Sequence, residues 1–169
     1  MKKIFFIITI TLFLPNSFFA QTKKEVSQSS ETQSVFSKSY DYVNDFEKIL
    51  TSNQITTLKT TLKSCETDSG NKIIIVTTSS IKPYTDIPEY TLGLNTYLAN
   101  DLKLNTAVLI ILSKELRQIQ VQGVDSLRSK LTDDETKDII ANFALPEFKK
   151  GDYYKGLEKA VSQIIIKLK

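Results

Sequence analysis

The sequence contains no histidine and a single cysteine, Cys65, in 169 residues. The missing histidine removes Ser-His-Asp hydrolysis, Cys-His proteolysis, histidine-ligated zinc and phosphatases that pass through phosphohistidine. The lone cysteine removes any internal disulfide, so stability rests on a hydrophobic core. Cys65 falls on the apolar stripe of a predicted helix, where a thiol packs as a small hydrophobe. Glu-Thr-Asp-Ser-Gly-Asn71 follows it, so the Cys-five-Arg loop of thiol phosphatases is absent. Five glycines supply no Gly-Lys-Ser/Thr phosphate loop, and no Asp-x-Asp nucleophile pair occurs. Arginine is scarce too, at Arg117 and Arg128 only. Arginine is the usual bidentate reader of phosphate and base edges, so the composition argues against nucleic-acid binding. Carboxylates, hydroxyls, lysines and a metal ion are what remain for catalysis, with no organic cofactor implied.

The N-terminus reads as an export signal. Lys2 and Lys3 precede an apolar run from Ile4 to Leu14, broken only by Thr9 and Thr11. Phe18-Phe19-Ala20 then places cleavage after Ala20, which makes residues 1–20 a signal peptide and the product periplasmic or secreted. A retained anchor is the rival, but the run falls short of the roughly 20 apolar residues a span needs. No transmembrane helix is expected after cleavage. Cleavage removes two lysines and no acids, lowering the formal charge from +3 to +1. Residues 21–38, rich in Ser, Gln, Thr and Lys, read as a flexible linker. Residues 39–169 are long enough for one domain with its own core.

Within that domain, Tyr40 to Phe46 is a short extended or turn segment. Thr51 or Ser52 caps a helix whose stripe is Ile55, Leu58, Leu62 and Cys65, closed by Gly70. Lys72 to Thr78 and Ala107 to Leu112 are unbroken apolar runs, the pattern of strands covered on both faces. Between them, Asp86 and Glu89 form a capping pair for a helix reaching Asn100. Arg117 to Gln122 alternates Ile119 and Val121 with polar neighbours, as an edge strand with one wet face does. Thr132 and Glu135 make a second capping box, for a helix that turns Ile139, Ile140, Phe143 and Ala144 inward and stops before Pro146. The last helix runs from about Asp152 to Leu168, with Gly156 in its first turns. Glycine costs roughly 1 kcal/mol against alanine inside a helix, so Gly156 answers to close packing. The order of elements predicts an α/β fold: a three-layer α/β/α sandwich whose mostly parallel sheet carries an antiparallel edge hairpin.

Four stretches in this order resemble the TPM-domain family. They are Val43-Asn-Asp-Phe46; Gly70-Asn-Lys-Ile-Ile-Ile-Val76; Ala107 to Leu112 with Arg117 to Val121; and Leu131-Thr-Asp133 with Pro146-Glu-Phe-Lys-Lys-Gly-Asp-Tyr-Tyr-Lys-Gly156. The resemblance implies exported α/β/α modules, some binding calcium or another divalent cation, one credited with acid phosphatase activity, others serving as accessories to membrane complexes. Two loops depart from the family pattern. Asp101 to Thr106 stands where an Asp-Asn-Gly turn is usual, and Gly123-Val-Asp-Ser-Leu127 replaces Gly-Tyr-Gly-Leu-Glu. If those loops build the ion site, weak binding or none is expected.

Asn44 and Asp45 precede the first helix and could offer three oxygens to a hard cation, or serve an Asx-turn or cap. Asp125 is a second candidate ligand or a solvated loop acid. Asp133, a further candidate metal ligand, lies at a helix N-terminus, where the dipole favours negative charge in any case. Asp152 heads the final helix, and Tyr153 and Tyr154 line a groove or pack under Phe148. Ligands of open α/β sheets favour the carboxyl ends of parallel strands, which brings Thr77 to Ser80 and the residues after Leu112 into play. The resulting expectation is an accessory module of the bacterial envelope acting on a membrane or envelope protein, tuned by a divalent cation. The alternative is a metal-assisted phosphomonoesterase using Asp45 and Asp125.

Overall fold

The computed structural model describes residues 35–169 and the backbone of a strand, β1, at Phe5–Thr11. The cleavage position after Ala20 and residues 21–34 of the linker lie outside the described residues. Five strands form one sheet in the order β1-β5-β4-β3-β2. Three adjacent strands are mutually parallel: β2 (Val43–Asp45), at one edge, β3 (Ile73–Thr77) and β4 (Val108–Ser113). β5 (Gln118–Val124) turns back antiparallel to β4, and β1 pairs antiparallel with β5.

Alternation along the strands divides the core into two layers. Ile73, Ile75, Val108, Ile110, Leu112, Ile119 and Val121 face one way. They meet helix α1 (Ser52–Ser69), α3 (Asp133–Ile139), α4 (Leu145–Phe148) and α5 (Tyr153–Leu168). Ile74, Val76, Leu109 and Ile111 face the other way, against Tyr90, Leu94 and Leu98 of α2 (Ile87–Asn100). The three-layer sandwich expected from the apolar runs is therefore present. Burying each such aliphatic side chain contributes roughly 1.5–3 kcal/mol.

The caps fall where local chemistry put them. Thr51 and Thr132 each accept from the N–H three residues on, while Gln54 and Glu135 reach back to the cap backbone. Asp86 accepts from Glu89 N. The Glu89 carboxylate instead takes the N–H and hydroxyl of Thr85, so that pair is not reciprocal.

Three expectations need correction. The helix begun at Thr132 does not stop before Pro146. It widens into a π turn, Ile140–Ala144, in which Leu145 N–H reaches back to Ile140 O, and Pro146 then sits in the first turn of α4. Proline lacks an N–H and its ring crowds the carbonyl four residues back, and the wider turn relieves both. The register change leaves Phe143 36% exposed instead of inward. Second, Phe36, assigned to the linker, is 1% exposed and packs among Tyr84, Tyr90 and Tyr97, so packing begins before residue 39. Third, β5 forms the expected antiparallel hairpin with β4 but has no wet face: Gln120 and Gln122 are 0% and 2% exposed, and β1 lies outside the strand. No described helix is long and apolar enough to cross a membrane.

Candidate functional site

The carboxyl ends of β2, β3 and β4 open on a crevice of about 530 Å³, lined by Glu47, Lys48, Ile49, Ser79, Lys114, Glu115, Gly151 and Tyr153. Register places Asp45 beside Thr77, and Thr77 beside Leu112, at this end. Asp45, beneath the crevice, and Glu47, on its lining, are engaged by the chain itself. Asp45 accepts from the backbone N–H groups of Ile49 (3.2 Å) and Leu50 (2.8 Å) and from the Thr77 hydroxyl. Thr77 Oγ1 in turn accepts Glu47 N–H at 3.1 Å. The Glu47 carboxylate spans to the β4–β5 turn, accepting Lys114 N–H at 2.9 Å and Glu115 N–H at 2.8 Å. One polar network thus ties the loop after β2 to the end of β3 and to the hairpin. Lys48 pays for the tight path with a left-handed backbone, φ 56°.

Asn44 is 5% exposed and fully committed to structure. Its Oδ1 accepts Asp41 N–H, while its Nδ2 donates to Asp41 O and to Ile75 O on the neighbouring strand. Neither residue caps a helix, since Thr51 caps α1; Asn44 and Asp45 brace the backbone on either side of β2. Asp125 is nowhere near. β5 runs back toward the start of β4, with Val124 N–H on Ala107 O, so the acid following it lies at the opposite end of the sheet from Asp45. Six strand residues separate the two levels, about 20 Å at roughly 3.3 Å per residue. One ion cannot be shared across that distance. Asp125 pairs with Arg128 at 3.4 Å, and Asp133 is exposed in the first turn of α3. Among the described residues no three acids or cysteines come together as a ligand set.

The start of α5 does reach the crevice. Asp152 caps the helix through Lys155 N, Tyr153 stacks on Phe148 at 5.5 Å, and Lys114 Nζ lies 5.7 Å from the Tyr153 ring centre. Tyr154 points elsewhere, donating to Glu158 at 2.7 Å beside a groove of about 490 Å³ between α1 and α5. Glu47 escaped the sequence reading because its contact with the Lys114 backbone joins residues 67 positions apart, and no local pattern announces it.

The family pattern described as TPM domain matches residues 43–167. The chain belongs to the TPM-domain family. Its architecture is similar to the solution structure of the N-terminal domain of a P. gingivalis protein, with TM-score 0.68 and 23% identity over 80% of this chain and 87% of that one. An N-terminal domain from Corynebacterium glutamicum aligns with TM-score 0.57 at 17% identity, over 89% of this chain and 86% of that one. A protein of the psychrophilic bacterium Bizionia argentinensis gives 0.58 at 17% identity, over 73% and 83%. At these identities the likeness concerns the fold. No curated protein matches the sequence.

Both loops in which this TPM domain departs from the family pattern lie at the far end of the sheet. Asn105, Thr106 and Val124 line a cavity of about 200 Å³ there, with Gly70 and Asn95. The Asp45 crevice is therefore untouched by those departures.

Electrostatics in this TPM domain are structural. The Lys167 ammonium, with the Thr132 backbone and hydroxyl, holds the Glu135 carboxyl down from 4.5 to about 2. Lys159 and Lys150 lower Glu147, Lys155 and Tyr154 lower Glu158, and Tyr42 and Lys72 lower Glu66. A carboxyl depressed in the folded state stabilises fully above its unfolded value, and that contribution is lost as pH falls through the folded value. With no histidine to titrate, the melting temperature is expected to stay flat from about pH 6 to 8. It should decline once pH drops below 4.5 toward 2, the window set by Glu135. Calorimetry across that range checks it; a step near pH 6.5 would contradict it.

Proposed function

We propose that this TPM domain is an exported accessory module of the bacterial envelope that works through protein contacts instead of turnover. The observation that carries the reading is the state of the crevice acids. Asp45 and Glu47 both contact Thr77, and their carboxylates accept from backbone N–H groups of the chain itself. A general base or metal-bound water needs oxygens free to meet a substrate. Metal-assisted hydrolysis through Asp45 and Asp125 together would further require closing about 20 Å of sheet. The charged start and apolar run of residues 2–14 support export.

Hydrolysis of a chromogenic phosphomonoester, with and without millimolar calcium, tests this reading. The expected rate equals that of buffer. A saturable rate that Asp45→Asn abolishes would replace the accessory role by catalysis.

A further inference from the structure

The outer edge of β5 is a strand slot. β1 runs along it for seven residues in continuous register, from Phe5 opposite Val124 to Thr11 opposite Gln118. β1 also touches α2 on one side of the sheet and α3 on the other. The seat is therefore a floor of β5 edge between two flanking helices. It holds one extended chain, β1.

The direction of the free groups follows from one bond. Val124 N–H donates to Ala107 O at 3.0 Å, so residues 118, 120, 122 and 124 turn their backbone groups toward β4. Alternation leaves Ile119, Val121 and Gly123 facing the slot. No residue from Gln118 to Val124 is charged, so the edge lacks the lysine or proline that usually blunts one. A second observation points the same way. The Gln122 side chain is 2% exposed, and neither its oxygen nor its nitrogen has a hydrogen-bond partner among the described residues. That amide faces the α2 side, beside the slot.

We propose that removal of the leader opens this slot, and that the mature domain there captures an extended, uncharged strand from a partner protein, antiparallel to β5. This rests on the export reading above and gives the protein contacts a form: addition of a strand to a sheet edge. The occupant alternates aliphatic residues opposite Ile119 and Val121 with hydroxyl or amide residues opposite Gln118, Gln120 and Gln122. β1 shows most of this pattern, with Ile10 and Ile8 opposite the first two, and Thr11 and Thr9 opposite Gln118 and Gln120.

The test uses the chain as cells process it, with its N-terminus read by mass spectrometry. The probe is a lysine-flanked synthetic peptide carrying Phe5–Thr11, followed by fluorescence anisotropy. Saturable binding is expected, with slowed amide exchange at Ile119, Val121 and Gly123. N-methylation at Ile8 and Ile10 removes the donors facing β5 and should weaken binding on the order of 10- to 100-fold. The same change at Ile7 and Thr9, whose N–H groups face away, should leave it intact. No binding, or equal loss from both peptides, overturns the slot. A processed chain that dimerises through β5 and excludes the peptide assigns the edge to a second copy and overturns it too. A cellular chain that still carries residues 1–20 overturns the export reading, and the opening with it; the mass separates that failure from the others.

Discussion

Gly156→Ala is expected to destabilise the domain by about 2 kcal/mol, lowering the melting temperature by about 8 °C. Alanine is ordinarily the better helix residue by roughly 1 kcal/mol, so the sign alone is informative. A Cβ at this position would lie 2.2 Å from Phe148 Cε1, 2.5 Å from its Cδ1 and 2.9 Å from Ala144 O. The ring has little room to retreat. Phe148 is 5% exposed and stacked on Tyr153, and the carbonyl belongs to the π turn ahead of Pro146. Phe148→Leu should recover part of the loss, so that the double variant costs less than the two single changes summed. A higher melting temperature for Gly156→Ala would mean that the first turns of α5 do not approach α4 as closely as described.

Asp45→Ala is the second large effect, at about 3 kcal/mol. The substitution strips acceptors from two backbone N–H groups, Ile49 and Leu50, and from the Thr77 hydroxyl. Each buried group left without a partner costs roughly 1–3 kcal/mol, less where water can reach it, as it can at this partly open crevice. The damage should spread to the β4–β5 turn, because Thr77 also holds Glu47, which in turn binds Lys114 and Glu115. Faster amide exchange at Ile49, Leu50, Lys114 and Glu115, with unchanged exchange in α5, is the signature of that chain of contacts. Loss confined to Ile49 and Leu50 would break the link to the hairpin.

Much of this architecture was legible because its causes are local. Unbroken Ile and Val runs located β3 and β4. Side chains able to accept a backbone N–H three residues on marked the starts of α1, α2, α3 and α5. Gly156 betrayed a close contact before its partners, the Phe148 ring and the Ala144 carbonyl, were known. What escaped has non-local causes. Phe36 was read as linker because one aromatic in a polar stretch looks incidental until three tyrosines surround it. Pro146 was read as a stop, but a π turn upstream accommodates it. The pairing of Asp45 with Asp125 failed on direction: a hairpin runs back, so the residue after β5 returns to the start of β4. That much could have been deduced from the antiparallel pairing itself. Glu47 gave no sign, since its partners are two backbone groups of a distant turn.

The central claim is that Asp45 holds the crevice together and does not hold an ion. Thermal unfolding of the wild type and of Asp45→Asn, each with and without about 1–10 mM calcium (above the roughly 0.1–1 mM dissociation constants of extracellular modules), addresses it directly. The account predicts a lower melting temperature for Asp45→Asn, from the lost charge on two backbone hydrogen bonds, and no calcium shift in either protein. A calcium-dependent rise in the wild type that Asp45→Asn abolishes would contradict it and make Asp45 a ligand.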